Sequence, residues 1–144
     1  MLTENELIKF RRELHSYPET GWCEFVTTHK IVEKLRSFGL DPIYGRQVIN
    51  PEFVAGRNPA KVEEAKKAAL DKGVPPEFIE SMQGYTGVAA IFETGRPGPV
   101  LAIRFDMDCV DVDEAHEAGH RPFDEGWAST NPGHMHSCAT FASS

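Results

Sequence analysis

Two short runs of this chain carry side chains that do chemistry in pairs. Asp106-Met107-Asp108 places two carboxylates on alternate residues, and alternate residues of an extended backbone point the same way. Such a pair reads either as a carboxylate site near a metal or a positive substrate group, or as polar residues leaving the edge of a sheet. His134-Met135-His136-Ser137-Cys138 repeats the spacing with two imidazoles and a thiol. An extended segment would carry all three on one face, and nitrogen and sulfur donors suit zinc or a similar divalent ion. The alternative is a polar tail with incidental histidines, because a tight run of three residues rarely supplies the three protein ligands of a catalytic metal.

The other polar candidates read as structural. His15 lies in Arg11-Arg12-Glu13-Leu14-His15 on an amphipathic helix, as a surface or packing residue. Glu19 and Glu24 flank a turn at Gly21-Trp22 and read as parts of a solvated loop. Cys23 and Cys109 read as packing thiols. Glu114 and His116, two residues apart, could add to a site, but the loop around them is acidic and chance accounts for the spacing.

The elements that must position these residues show in the pattern. Thr3 and Glu6 fit a capping box that opens a helix with Leu7, Phe10 and Leu14 on one face, and Pro18 closes it. Thr28, Ile31, Val32, Leu35 and Phe38 predict a second helix over about 25–38, stopped by Gly39. Leu40 to Tyr44 reads as a short edge strand or a loop, broken by Pro42. Asn58-Pro59 starts a helix running from Ala60 to Asp71, and Pro75-Pro76 starts a shorter one with Phe78, Ile79 and Met82. Residues 50–84 thus read as a helical excursion. Gly87 to Thr94 and Pro99 to Asp108 are apolar runs joined by Gly95-Arg96-Pro97-Gly98, and they predict a β-hairpin. Beyond Asp108 the periodicity vanishes.

The 144 residues suit one ordinary domain, and 40% hydrophobic content is enough to bury a core. A net charge of −7 argues against nucleic-acid or anionic-membrane partners. No run approaches the roughly 18 apolar residues of a membrane span. The first residues lack the pattern of a signal peptide, and three widely spaced cysteines do not suit a disulfide framework. The expected location is the cytoplasm.

Several of these pieces occur together in one known family. Arg12-Glu13-Leu14-His15-Ser16-Tyr17-Pro18-Glu19, followed by Gly21 and Glu24, resembles the N-terminal signature of the metal-dependent amidohydrolases and peptidases grouped with carboxypeptidase G, aminoacylase and the auxin-conjugate hydrolases. Gly98 to Asp108 resembles that family's strand ending in Asp-x-Asp, and Met135-His136-Ser137-Cys138 resembles the start of its Met-His-x-Cys-Gly-His-Asp metal motif. Thr94 to Val100, the excursion at 50–84 and His120-Arg121-Pro122-Phe123 narrow the resemblance to the branch acting on p-aminobenzoyl-glutamate, a folate breakdown product.

The resemblance implies an α/β fold, the N-terminal part of a mixed-sheet catalytic domain with flanking helices. It implies a partial catalytic domain over residues 1–144, with the metal motif beginning at 134–138 and the family's dimerisation domain absent. It makes Cys138 a metal ligand, with His136 and His134 as candidates beside it, and Asp108 a catalytic acid that orients the site. Asp106 stands where related peptidases have a metal-binding histidine. Manganese or zinc would be the metal, an N-acyl amino acid the substrate, and a related second subunit or a second copy the partner. The expected reaction is hydrolysis of an amide bond to an amino acid, p-aminobenzoyl-glutamate first and other N-acyl amino acids as the alternative.

One departure stands out. Ala139-Thr140-Phe141 occupies the place of Gly-His-Asp, and a Gly-His codon pair read one base later encodes the Ala-Thr of positions 139 and 140. The chain alone is therefore expected to be inactive. A non-catalytic fragment or interaction module is the reading from outside the enzyme class.

Overall fold

The computed structural model describes residues 3–136. Cys138 and the Ala139-Thr140-Phe141 departure lie outside the described residues. Within the described residues the helices are α1 (Glu4–Ser16), α2 (Phe25–Ser37), α3 (Pro59–Asp71), α4 (Pro76–Ser81) and α5 (Arg121–Asp124), with strands β1 (Ile43–Tyr44) and β2 (Val88–Ala89). The architecture is mixed helix and sheet, as the sequence predicts. The chain divides into two compact units: Met1–Gly21 with Met107–Ser144, and Trp22–Asp106.

In the first unit, α1 forms because its capping box closes. The Thr3 hydroxyl accepts from the Glu6 amide at 3.3 Å, and the Glu6 carboxylate accepts from the Thr3 amide at 2.8 Å. The helix ends at Ser16, two residues before Pro18, with Leu14 and His15 buried on its last turn. The short α5 follows His120 and has Pro122 in its first turn. A single bridge pairs Val110 with Met135 in antiparallel fashion.

In the second unit, α2 packs against α3 and β2. Phe25, Val32, Val62, Ala69 and Met82 are fully buried, and Phe78 and Ile79 nearly so. The Asn58 side chain caps α3 by accepting from the Ala60 and Lys61 amides at 3.0 and 3.4 Å. β1 and β2 pair antiparallel, Ile43 opposite Ala89 and Tyr44 opposite Val88. Gly45 continues β1 at φ +61°, and a Cβ there would lie 2.6 Å from the Met82 Cα, so only glycine lets the two backbones meet. Its amide donates to the Gly87 carbonyl at 2.9 Å.

The predicted hairpin does not form. Only Val88–Ala89 of its first strand is extended in a ladder, and it pairs with Ile43–Tyr44 instead. Residues 90–108 hold no regular secondary structure, so the Asp106–Asp108 pair is not carried on a strand. Ile91, Phe92, Val100, Leu101, Ile103 and Phe105 are between 65 and 98% exposed. Apolar residues on successive positions give both faces of such a hairpin a need for cover, and a two-stranded ribbon in water supplies none. Pro97 and Pro99 also remove two amide donors from the intended turn.

Candidate functional site

The titratable groups that converge belong to the unit formed by Met1–Gly21 and Met107–Ser144. The last turn of α1 presents His15, which is 3% exposed. The loop after Val110 delivers Glu114, whose side chain is 2% exposed. One Glu114 oxygen, Oε1, lies 2.8 Å from His15 Nε2 and 3.0 Å from His120 Nε2. The other, Oε2, accepts the Ser129 amide at 2.5 Å. Burial pushes the Glu114 carboxyl up, but the Ser129 amide, His120 and His15 together outweigh it and hold the group below the usual carboxylate range. A buried carboxylate ringed by three donors stays ionised.

Around this carboxylate the loop is tied tightly. The Ser129 hydroxyl donates to the His134 carbonyl at 2.6 Å, and it accepts from the Asn131 amide at 3.1 Å. The Asn131 side-chain amide donates to the Pro18 carbonyl at 2.6 Å, and the Thr130 amide to the Ser16 carbonyl at 2.9 Å. Trp127 meets the His15 ring edge-on at 5.1 Å, with the Arg12 guanidinium 5.0 Å from the Trp127 ring centroid. Arg12 also pairs with Glu125 at 2.6 Å.

The candidate residues of the sequence motifs fall in different surroundings. His136 is 1% exposed, with its ring 6.5 Å from that of His15. Burial lowers its pKa, the neighbouring His15 adds to the effect, and the Asp108 backbone and carboxylate oppose it. The imidazole is therefore biased towards its neutral form, the form in which histidine donates a lone pair. Asp108 is exposed, and its Oδ2 would be 3.7 Å from a Cβ at Gly21, a close passage of carboxylate against glycine. His134 is turned to other partners: its Nδ1 is 2.9 Å from the Pro132 carbonyl and its Nε2 3.5 Å from Asp111. Asp106 is exposed and pairs with Arg104 at 2.6 Å. Cys138 lies outside the described residues. Among the described residues no group of three His, Cys, Asp or Glu could hold a metal ion.

One expectation is corrected. Glu19 and Glu24 are not solvated: they are 8% and 7% exposed. Glu24 accepts a short hydrogen bond from the Thr86 hydroxyl. Of the two readings of His15, surface or packing, burial leaves the second, and its ring meets Glu114, 99 positions away. The spacing of Glu114 and His116 is without consequence, since His116 stacks on Phe123 at 5.8 Å and His120 takes the carboxylate instead. Only the four-residue step from His116 to His120 separates the two candidates, and no local pattern chooses between them. Cys23 and Cys109 are buried, 8% and 7% exposed, as packing residues are.

The chain is 45% identical over 135 residues to a Haemophilus influenzae homolog of one p-aminobenzoyl-glutamate hydrolase subunit, a match covering 93% of this chain and 32% of that protein. It is 41% identical to the indole-3-acetyl-aspartic acid hydrolase of Enterobacter agglomerans, over 92% of this chain and 31% of the relative. Against the corresponding p-aminobenzoyl-glutamate hydrolase subunit of Escherichia coli the identity is 38%, over the same shares. The crystal structure of an aminobenzoyl-glutamate utilization protein from Klebsiella pneumoniae superposes with a TM-score of 0.68 at 35% identity, over 74% of this chain and 28% of that one. The chain thus spans about a third of the length of the curated relatives it matches. No family model matches it.

Proposed function

We propose that this chain, a relative of p-aminobenzoyl-glutamate hydrolase in sequence and in fold, serves the hydrolysis of an amide that joins an aromatic acyl group to an acidic amino acid. The supporting observation is the identity of 38–45% to two subunits of such hydrolases over more than nine-tenths of the chain. The substrate favoured is p-aminobenzoyl-glutamate. The similarity to an indole-3-acetyl-aspartic acid hydrolase keeps a second substrate in view, of the same chemical type: an aromatic acyl group on a dicarboxylic amino acid.

In this reaction water adds to the acyl carbon, the C–N bond breaks, and the proton goes to the departing amine. A divalent metal, manganese or zinc, would polarise the acyl carbonyl and the water. Among this chain's own residues, the neutral-biased His136 next to Asp108 is the donor best suited to such a centre, with Cys138 as the further candidate. A related second subunit is the proposed partner, since two relatives are named as one subunit of a hydrolase. Three widely spaced cysteines, which do not suit a disulfide framework, support a reducing, cytoplasmic setting. No helix of the described residues is long and apolar enough to cross a membrane.

The test is a chimaera. Residues 1–136 replace the aligned segment of the Escherichia coli relative, and release of glutamate from p-aminobenzoyl-glutamate and of aspartate from indole-3-acetyl-aspartate is followed with added manganese or zinc. Metal-dependent release of glutamate is expected from the chimaera and none from the present chain alone. A soluble chimaera with an unchanged circular-dichroism spectrum that cleaves neither compound would sink the reading.

A further inference from the structure

We propose that Glu114 is a positioning residue: its carboxylate fixes the tautomers of His15 and His120 and, through Ser129, sets the backbone that carries His134 and His136. The link to hydrolysis rests on the functional reading above; the positioning itself does not.

An ionised carboxylate only accepts. Both His15 Nε2 and His120 Nε2 lie within 3.0 Å of Glu114 Oε1, so both must carry their proton on Nε2. In the neutral imidazole this leaves Nδ1 bare, and a single carboxylate thereby chooses the tautomer of two rings. The second oxygen takes the Ser129 amide. The hydroxyl of the same serine donates to the His134 carbonyl at 2.6 Å. Two residues, Glu114 and Ser129, therefore separate the His15 ring from the backbone two positions before His136.

Burial makes the arrangement specific. A carboxylate with its side chain 2% exposed is tolerated only when its lone pairs are met, and a fully met buried network admits few alternatives. Glutamine has the same shape but one oxygen and one NH2 group. Whichever way its amide turns, a donor faces either the two histidines or the Ser129 amide. Glu114→Gln thus removes acceptors without removing volume, which separates positioning from packing.

The experiment is long-range 1H–15N NMR of the histidine side chains in the full chain. In the wild type, His15 and His120 should show the Nε2–H tautomer. Glu114→Gln should lose that fixed tautomer at one or both rings, shift the Ser129 amide, and move the His134 and His136 resonances. A dispersed methyl signal from Leu14, buried in the same unit, should persist and report that this unit is still folded, while the Val32 and Val62 methyls of the other unit stay in place. A folded Glu114→Gln with His15 and His120 still fixed and His136 unmoved would overturn the proposal. Should that variant fail to fold, Ser129→Ala decides. It keeps the carboxylate and both histidines but cuts the link to His134, so the tautomers should persist while His134 and His136 shift; no shift counts against the proposal. In the chimaera, Glu114→Gln should lower kcat with KM little changed. A chimaera that is inactive from the start refutes the functional reading and leaves the NMR outcomes to judge the positioning.

Discussion

The two units of this chain bury different chemistry. The unit Trp22–Asp106 hides Phe25, Val32, Val62, Ala69, Phe78, Ile79 and Met82, drawn largely from three helices, beside the buried polar Glu24, Thr27, Thr28 and Thr86. The unit of Met1–Gly21 and Met107–Ser144 hides His15, Glu19, Ser129 and His136 with the side chain of Glu114, and its buried apolar side chains among the described residues are Leu14, Pro18 and Cys109. One interior is held mainly by area removed from water, which is non-directional and tolerant of shape, with Thr86 and Glu24 paired inside it. The other is held by directed hydrogen bonds, which tolerate neither a missing partner nor a change of charge. The apolar interior can lose stability by degrees. The polar one has few contacts to lose, and each loss removes a partner that burial has made necessary.

This contrast can be broken from its apolar side. Phe25→Ala empties a fully buried aromatic site and should cost about 3–5 kcal/mol in urea unfolding of the Trp22–Asp106 unit. A much smaller loss would mean that the helices collapse onto the gap and that their interior is less specific than it looks.

Acid should strike the polar interior first. The folded His136 has a lowered pKa, so as pH falls below the ordinary histidine value of 6.5 the unfolded chain takes up a proton that the folded chain resists, and stability declines. The folded Glu114 is also lowered, so its contribution is complete above the ordinary glutamate value of 4.5 and is lost as pH falls from there through the folded value. Both effects have the same sign, and stability should fall in two stages between pH 7 and acid. Indole fluorescence of Trp127, which borders His15, read against pH should show both stages, and Glu114→Gln should remove the lower one. A flat profile from neutral pH down through the carboxylate range would undo the contrast.

The smallest effect belongs to residues that look like core in the sequence but are not. Ile103 is 67% exposed. Ile103→Ser should change unfolding free energy by no more than about 0.5 kcal/mol, while binding of a hydrophobic dye falls. A loss comparable with that of Phe25→Ala would show that Ile103 is covered in solution.

The hairpin and the carboxylate cluster show where the reading of the sequence stops. Helix ends are legible because they are set within a few residues: Thr3 with Glu6, Asn58 with Pro59, Gly39 after α2. Residues 90–105 have as strong an apolar pattern as any helix here, yet they form no ladder, because a strand is completed by its neighbours and not by itself. Glu114 has no signal beyond an acidic loop, and Glu19 and Glu24 have the signal of a solvated turn.

The sequence alone carried the elements whose hydrogen bonds close locally, the mixed helix and sheet character, and the motifs that resemble those of amidohydrolases. Only the tertiary structure decided that His15, Glu114, His120 and Ser129 meet, that His136 is buried while His134 turns to Asp111, and that β2 pairs with Ile43–Tyr44. The physical reason is range. A capping box spans three residues and the His15–Glu114 bond spans 99, and a pairing at that separation depends on how the intervening chain returns, which no local pattern of side chains encodes.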